Sequence, residues 1–483
     1  MKRFFLLGVA CLFVLPAFLQ AKVVLPEIMS DNMVLQQNTQ VKLWGKAAAG
    51  STVSVKASWN AQTFTVKAAN DGKFLIQVPT PAATFTPQTV SFTDGSESVT
   101  LKNILIGEVW VASGQSNMEM PLDGFFSSPV VGAEEAITTS GKYKGVRFVK
   151  VPRTSALTPQ ETVKGKWKTS EPANAPMFSA VAFFYATYLT ELLNVPIGII
   201  ECNWGGATVE GYMPEWILKT YPDVDLSQAG RPDSRELPEY MQPMIMYNGM
   251  LKPIENYTIK GFIWYQGESN IGRPDYALRL AKMVEIWRNE WGLGELPFYS
   301  VEIAPYTGYG QGISGALLRE EQYKSMSIIS NSLMVSTNDL VEPFEAMDIH
   351  PRHKKEVGQR LGAAAAVNTY GIQGIADRGP VFKSMEIRDN RVMLQFDNVP
   401  QGFYYDTDIE GFEVAGPDKI FYPAQVSANW PTVSVYSRRV ANPVAVRYGF
   451  KNYQPGTLKN SRGWPAYPFR TDDWKDEPRN RQR

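Results

Sequence analysis

Cysteine and histidine are both scarce in this sequence. Its 483 residues include two cysteines and two histidines. Cys202 is the one cysteine after the first 21 residues, which excludes an intrachain disulfide and a cysteine-based zinc site from that part of the chain. An activated serine usually needs a nearby imidazole as its base, so the shortage of histidine limits that role to His350 or His353.

Excess charge and long apolar runs are missing as well. Lys and Arg together number 48, as do Asp and Glu, and no basic block stands out. This balance gives no electrostatic reason to expect nucleic acid or an anionic membrane as a partner. After residue 21 no segment approaches the ~20 uninterrupted apolar residues of a membrane helix, so we expect no membrane span there. Internal repeats and low-complexity segments are also lacking.

The first 21 residues have the pattern of a secretory signal peptide. Lys2 and Arg3 precede an apolar run over 4–18, and Leu19-Gln20-Ala21 resembles a cleavage site. We therefore predict that residues 1–21 are removed and that the protein is exported, to the periplasm or the medium. Lipidation at Cys11 is less favoured, because the apolar region continues past that residue.

Three further regions follow from the hydrophobic patterns. Residues 22–106 alternate apolar and polar positions in short runs, which predicts an N-terminal β-rich, sandwich-like domain. Residues 107–371 alternate near-continuous apolar strands with helical patterns, which predicts an α/β domain with a parallel sheet. One such helix begins near Pro274 and ends at Gly292. Residues 372–483 alternate again and predict a C-terminal β-rich region.

Small and polar residues follow the predicted strands of the α/β domain. In an open parallel sheet, ligands bind beyond the carboxyl ends of the strands, so these clusters are expected to meet in one site. They are Ser113-Gly114-Gln115-Ser116-Asn117, residues 203–208, Gln266-Gly267-Glu268-Ser269-Asn270, and Asp339 with Asp348-Ile349-His350-Pro351.

Ser116 and His350 are the candidate nucleophile and base at this site. His350 is preferred to His353 because it lies in a loop after a strand, whereas His353 begins a helix. The base needs an acceptor that fixes its tautomer. Asp348 is the first candidate, and Asp339 or a backbone carbonyl is the alternative, since residues two apart in an extended chain point to opposite sides.

Acyl transfer also needs hydrogen-bond donors for the oxyanion of the tetrahedral intermediate. The candidates are the backbone N–H of Ser116, a backbone N–H at Gly205 or Gly206, and the side-chain amide of Gln266. Glycine suits this role because no side chain blocks the approach of a ligand to its backbone.

Two other interpretations of these residues are weaker. Ser116 stands in Ser-Gly-Gln-Ser-Asn rather than in Gly-x-Ser-x-Gly, so the nucleophile elbow of α/β-hydrolases is not indicated. Asp348, His350 and His353 have the residue types of a metal site. A metal site there would leave the glycine and glutamine clusters unexplained.

The motifs together resemble those of a known family. Gly114-Gln115-Ser116-Asn117-Met118, Trp204-Gly205-Gly206, residues 264–270 and Asp348-Ile349-His350-Pro351 occur in the order of the conserved blocks of SGNH/GDSL-type carbohydrate esterases. The sequence is most similar to the sialate O-acetylesterases. The resemblance extends to the segment VRYGFKNYQPGTLKNSRGWPAYPFRTDDW near the end of the chain, and thus covers nearly all of it after residue 21.

The resemblance implies a flavodoxin-like, three-layer α/β/α SGNH hydrolase domain between β-rich flanks, with no metal or organic cofactor. Carried over by position, it makes Ser116 the nucleophile and His350 the base, and it adds Gly206 and Gln266 to the Ser116 amide in the oxyanion hole. Many members place the acid three residues before the histidine, where this chain has Met347.

Together these observations predict an exported serine esterase that removes O-acetyl groups from carbohydrate through an acetyl-serine intermediate. O-acetylated sialic acid is the first candidate substrate, acetylated xylan or another plant glycan the second, and a non-catalytic carbohydrate-binding protein the third alternative. No particular oligomeric state is indicated. The predicted substrate contacts are Trp204, Glu268, Asn270 and Arg273, the last as a partner for a sialate carboxylate, and Tyr212 and Tyr265 are either sugar platforms or core residues.

Overall fold

The computed structural model describes residues 22–310, 312–404 and 408–475. It has a mixed α/β architecture, with a central, mostly parallel sheet and flanking β-sheets. The predicted signal peptide, residues 1–21, lies outside the described residues. No helix within the described ranges is both long and apolar enough to cross a membrane.

The N-terminal region consists of antiparallel strands, joined by one parallel pair. In β5, Phe74, Ile76 and Val78 are buried while the residues between them are exposed, which is the alternation that the sequence shows. The strands pair as β2 with β5, β3 with β4 and β6, and β7 with β6 and β1. They are β1 (Val34–Gln36), β2 (Gln40–Lys46), β3 (Thr52–Ala57), β4 (Thr63–Lys67), β5 (Lys73–Pro79), β6 (Thr84–Thr93) and β7 (Ser98–Gly114).

The central sheet has the order β13-β12-β11-β7-β10-β8-β9. All neighbours in this order are parallel except β8 and β9. The strands added to β7 are β8 (Val146–Lys150), β9 (Lys168–Thr169), β10 (Ile197–Asn203), β11 (Gly261–Tyr265), β12 (Phe298–Val301) and β13 (Ser332–Val335). Most of their residues are buried, as the near-continuous apolar runs predict.

Helices cover this sheet, and their apolar residues enter two separate cores. Side chains of α5 and α6 pack in the core that contains Val109 and Val111 of β7, whereas those of α3 and α7 pack with Trp110 and Ala112. Since successive residues of a strand point to opposite faces, the two helix pairs lie on opposite faces of the sheet. The helices are α1 (Ser116–Glu119), α2 (Ala133–Thr139), α3 (Ala180–Leu193), α4 (Glu215–Leu218), α5 (Tyr276–Trp291), α6 (Ser314–Ile328) and α7 (Lys354–Asn368).

Helix α5 is the one predicted from its apolar face. It begins two residues after Pro274 and ends before Gly292, whose φ of 65° is the left-handed conformation that terminates helices. Leu280, Met283 and Trp287 of its apolar face are buried.

Strand β7 belongs to both the N-terminal region and the central sheet. Residues 98–107 pair with β6 and β1, and residues 108–114 pair with β10 and β11. The partners of β7 thus change after Gly107, one residue past the predicted boundary between 106 and 107, and the strand itself continues without a break.

The C-terminal region is again made of short antiparallel strands. They form sheets in the orders β14-β15-β20-β19 and β18-β17-β21-β23, together with the pair β16-β22. The strands are β14 (Val381–Arg388), β15 (Arg391–Asp397), β16 (Phe403–Tyr404), β17 (Phe412–Ala415), β18 (Phe421–Pro423), β19 (Gln425–Asn429), β20 (Thr432–Tyr436), β21 (Ala445–Tyr448), β22 (Lys459–Asn460) and β23 (Phe469–Arg470).

Candidate active site

The turn that carries Ser116 depends on a glycine. Strand β7 ends at Gly114, whose φ is 134°, and a Cβ there would stand 2.2 Å from the carbonyl oxygen of Tyr265. Only glycine allows this approach to β11. The N–H of Gln115 donates to the same oxygen at 3.0 Å, and α1 then begins at Ser116. The first N–H groups of a helix have no intrahelical acceptor, so the Ser116 amide is available to a ligand.

Ser116 and His350 meet at the carboxyl end of the sheet. The Nε2 atom of His350 lies 2.9 Å from Ser116 Oγ, and the ring of Phe125 packs edge-on against the imidazole at a centroid distance of 5.1 Å. Burial lowers the pKa of His350, and the nearby Lys354 lowers it further, while Asp348 opposes both. The imidazole therefore stays neutral, and able to accept a proton, to a lower pH than usual.

Asp348 lies near the imidazole without a hydrogen bond to it. Its Oδ1 atom is 3.9 Å from His350 Nδ1, and it accepts the backbone N–H of His350 at 2.9 Å. The other oxygen, Oδ2, accepts the hydroxyl of Ser128 at 2.9 Å. Asp348 thus shapes the loop and acts on the imidazole as a nearby negative charge.

Asp339 and His353 do not join the pair. The carboxylate of Asp339 accepts two hydrogen bonds from Arg360, at 2.8 and 2.9 Å, and the carboxylate found near His350 is that of Asp348. His353 stands at the N-cap position of α7 without a side-chain capping bond, and its Nδ1 lies 3.4 Å from Glu356 Oε1. Among residues 22–310, 312–404 and 408–475, no group of three or more His, Cys, Asp or Glu side chains could hold a metal ion.

The loop after β10 brings two glycines beside Ser116. A Cβ on Gly205 would lie 3.4 Å from Ser116 Cβ, and the Gly205 N–H donates to Glu119 Oε2 at 2.7 Å. Arg153 donates to the same carboxylate, at 2.8 and 2.6 Å. The N–H of Gly206, whose φ is 80°, donates no hydrogen bond within the part of the chain that the structure describes. Of the two glycines, Gly206 is therefore the one with a free donor.

Gln266 is fully buried, and its amide is already used. Its Nε2 donates to the carbonyl of Ala207 at 3.0 Å and to Asn270 Oδ1 at 2.7 Å, while its Oε1 accepts the hydroxyl of Tyr276. Both amide hydrogens therefore have acceptors within the chain, and the oxyanion role of Gln266 stays a prediction. Gln266 ties the loop after β11 to the loop after β10.

Three of the predicted substrate contacts are buried in the frame of the site. Trp204, Glu268 and Asn270 are 7%, 8% and 2% exposed. Asn270 bonds to Val209, Gln266 and Glu210, and Glu268 accepts a hydrogen bond from Asn117. These contacts leave Glu268 and Asn270 as supports of the loops rather than as surfaces for a sugar. Tyr212 and Tyr265 are fully buried, in agreement with the core alternative.

Arg273 reaches the surface, but it already has a partner. It forms an ion pair with Asp223, which also accepts a hydrogen bond from Arg279 at 2.6 Å. Together with Ser269, Arg273 lines a cavity of about 350 Å³ whose other walls include several carboxylates: Glu210, Asp223, Asp225 and Glu236.

Several residues at the site were not predicted from the sequence. Tyr240 packs its half-buried ring on Gly206, where a Cβ would come within 2.5 Å of the ring. Lys354 and Asn117 are both fully buried, and Lys354 Nζ donates to Asn117 Oδ1 at 2.6 Å. Asn117 could have been found from its place in the motif, but a lysine in the first turn of a helix gives no such signal, since lysine is usually exposed.

A serine hydroxyl held by an imidazole at the carboxyl ends of a mostly parallel sheet fits a carboxylic ester hydrolase. The comparison with known families agrees: the chain belongs to the family described as carbohydrate esterases, sialic acid-specific acetylesterases, whose profile matches residues 106–367. The predicted family is thereby confirmed. The protein hydrolyses O-acetyl esters on carbohydrate.

Individual relatives match over most of their length. A sialate O-acetylesterase of Pongo abelii is 27% identical, and the alignment covers 91% of this chain and 91% of the relative. That of Homo sapiens is 27% identical, covering 80% and 79%. The solved structure of a carbohydrate acetylesterase from Xanthomonas citri is 32% identical, has a TM-score of 0.83, and covers 94% of this chain and 100% of its own.

Proposed function

We propose that this protein is an exported serine esterase that removes O-acetyl groups from sialic acids, with Ser116 as nucleophile and His350 as general base. The observation that carries the proposal is the 2.9 Å contact between Ser116 Oγ and His350 Nε2. The parallel strands and the helices on both faces support a flavodoxin-like, three-layer SGNH domain as its frame. Export rests on the pattern of residues 1–21.

The first half of the reaction acylates the serine. Ser116 Oγ attacks the acetyl carbonyl carbon while His350 Nε2 takes the hydroxyl proton. The N–H groups of Ser116 and Gly206 donate to the oxyanion of the tetrahedral intermediate. When this intermediate collapses, the bond between the acetyl carbon and the sugar oxygen breaks, and His350 gives its proton to that oxygen, so that the sugar leaves as an alcohol.

The second half releases acetate. A water molecule gives a proton to His350 and attacks the acetyl-serine carbonyl, and the same two N–H groups stabilise the second oxyanion. The bond to Ser116 Oγ then breaks, and the proton held by His350 returns to the serine. Asp348, 3.9 Å from His350 Nδ1, stabilises the imidazolium by its charge in both halves.

A sialate substrate carries a carboxylate that needs a cation. Arg273 is already paired with Asp223, so we prefer Arg153 as the partner of the sialate carboxylate. Arg153 is half-exposed beside Gly205, and it uses Nε and Nη2 on Glu119, which leaves Nη1 for the substrate. The half-buried ring of Tyr240, next to Gly206, is the proposed contact for the face of the sugar.

A neutral substrate is the second candidate. The carboxylates that line the cavity beside Ser269 disfavour an anionic sugar there, and Asp223 neutralises Arg273. This charge pattern suits acetylated xylan or another neutral plant glycan.

Acetate release separates the two substrates. Residues 22–483 are assayed with 9-O-acetylated sialic acid and with acetylated xylan, and Ser116→Ala is run in parallel. We expect release from the sialic acid at a higher kcat/KM, and none with the variant. A preference for xylan would replace the proposed substrate and keep the mechanism. Equal release by the variant and the unchanged protein would remove the mechanism.

Asp348→Asn is expected to lower kcat by only about tenfold, far less than the ~10⁴-fold loss seen when a hydrogen-bonded triad aspartate is changed in the same way. The reason is the 3.9 Å separation of Asp348 from His350 Nδ1, together with the Oδ1 acceptor that asparagine retains for the His350 N–H. Steady-state kinetics checks this, with Ser128→Ala as the control for the Oδ2 contact. A 10⁴-fold loss would mean that Asp348 bonds to the imidazole during turnover.

A further inference from the structure

Behind the Ser116–His350 pair lies a buried cluster that the proposed mechanism does not use. It consists of Asn117, Glu268 and Lys354, which are 0%, 8% and 0% exposed. Asn117 follows the nucleophile in α1, Glu268 lies in the loop after β11, and Lys354 begins α7. We name these three residues the buried polar cluster.

The hydrogen bonds of the cluster fix the orientation of one amide. Lys354 Nζ donates to Asn117 Oδ1 at 2.6 Å, and Asn117 Nδ2 donates to Glu268 Oε1 at 2.6 Å. An ammonium group can only donate, and an ionised carboxylate can only accept. Rotating the Asn117 amide by half a turn would oppose donor to donor at Lys354, so the lysine determines which way the Asn117 N–H groups point.

One of those N–H groups reaches the loop of the base. Asn117 Nδ2 also donates to the carbonyl oxygen of Ile349 at 3.0 Å. The N–H of the same peptide unit belongs to His350 and donates to Asp348 Oδ1 at 2.9 Å. The peptide between Ile349 and His350 is therefore held at both ends, and its plane sets the direction in which the imidazole leaves the backbone.

Lys354 also acts on the imidazole through its charge. It is one of the two causes that lower the pKa of His350, the larger being burial, and Asp348 is the opposing group. Burial lowers the pKa of Lys354 itself to about 7, although the nearby carboxylates of Glu268, Asp348 and Glu345 raise it. Burial also raises the pKa of Glu268.

We propose that Lys354 is a positioning residue for the esterase reaction: through Asn117 it fixes the Ile349–His350 peptide so that the imidazole faces Ser116. This proposal rests on the proposed serine mechanism. In this proposal a residue at the start of α7 helps to hold the two loops that carry the nucleophile and the base.

Lys354→Met tests the positioning role together with the effect of the lysine charge on His350, since methionine is similar in length but has neither donor nor charge. We expect kcat to fall about 10- to 100-fold, since small misplacements of a catalytic group cost this much, and KM to change by less than about twofold. The acid limb of the kcat profile moves to higher pH, because a like charge that lowers the pKa of His350 is removed. Lys355→Met, the same change at the exposed neighbour, should alter neither kcat nor the acid limb.

A double-variant cycle asks whether the lysine acts through Asn117. We expect the kcat of the double variant, Lys354→Met with Asn117→Ala, to be no lower than that of Asn117→Ala alone. Asn117→Ala by itself already removes the connection between Lys354 and the Ile349–His350 peptide. Additive losses would overturn this part. The chain has two histidines, so NMR titration of the imidazoles reads the pKa of His350 directly, with His353→Asn to assign the signals.

The outcomes also separate this proposal from the proposed function. If the unchanged protein releases acetate and Ser116→Ala does not, the serine mechanism stands whatever Lys354→Met does. If Lys354→Met then keeps kcat within about twofold and leaves the acid limb in place, the positioning role is overturned. If Lys354→Met does not fold, Asn117→Ala is measured instead. The proposal predicts that this variant loses kcat while its acid limb stays in place, and an unchanged kcat would overturn the proposal.

Discussion

Ser116→Ala is expected to lower kcat for acetate release by about 10⁴-fold or more, because in the proposed mechanism its hydroxyl forms the acetyl-enzyme. Its hydroxyl contacts His350 Nε2 at 2.9 Å and stands at the first position of α1. The change removes one oxygen and leaves the backbone N–H in place, so binding of the substrate is expected to persist. Acetate release under saturating substrate measures the loss in kcat.

The matched control for this change is Ser332→Ala. Ser332 is also half-buried, but it begins β13, at the edge of the sheet away from the site, and its hydroxyl donates to the carbonyl of Ile329. We expect its kcat to stay within about twofold of the unchanged protein. If Ser116→Ala retained more than about a tenth of the activity, a hydrolytic route that does not use this serine would be required.

His350→Asn is expected to cost about 10³- to 10⁴-fold in kcat, since the hydroxyl of Ser116 then has no base. In the unchanged protein, activity should fall as pH drops through the pKa of His350. Because burial and Lys354 lower that pKa, the midpoint of the acid limb of kcat/KM lies below 6.5, the ordinary value for histidine. Initial rates with the substrate well below KM, across the acid range, give this midpoint.

His353→Asn is the control for the base, three residues along the same segment. His353 lies beside Glu342 and Glu356 rather than beside the nucleophile, and we expect its replacement to leave kcat within about twofold. A loss in this variant that equalled the loss in His350→Asn would reverse the assignment. An acid-limb midpoint above 6.5 would mean that the charge of Asp348 outweighs burial and Lys354.

The sequence predicts where the polar residues gather, because that follows from topology. Parallel strands of apolar residues end at one edge, so the loops that carry Ser116, Gly206 and His350 had to approach one another. Helix α5 was equally accessible, since its apolar spacing and Gly292 fix its face and its end. These predictions depend on periodicity and on backbone conformation, both of which are local properties of the chain.

The direction in which each polar side chain points could not be predicted from the sequence in the same way. Gln266, Glu268 and Asn270 lie in the predicted loop, but their hydrogen bonds run into the frame of the site. A rotation of one side chain decides between the two outcomes, and the partners that fix it come from distant segments. The charge of Asp339 is likewise balanced by Arg360, which lies twenty-one residues further along the chain, too far for a local sequence pattern to indicate the pair.

Strand β7 was divided by the prediction because its pattern changes midway. Up to residue 107 it pairs with strands of the N-terminal region, and beyond that it lies between β10 and β11 with both faces covered. The change from alternating to continuous apolar residues therefore marks new neighbours. Burial pattern alone does not distinguish a strand that changes partners from two strands joined by a turn.

This shared strand couples the stability of the two regions. With no flexible linker at residues 106–107, loss of the N-terminal strands would strip one half of β7 of its hydrogen bonds while its other half still held the centre of the parallel sheet. Denaturation of the two is therefore expected to be cooperative. Ser116 follows closely after this strand, so we expect loss of the N-terminal strands to loosen the turn that carries Ser116 as well.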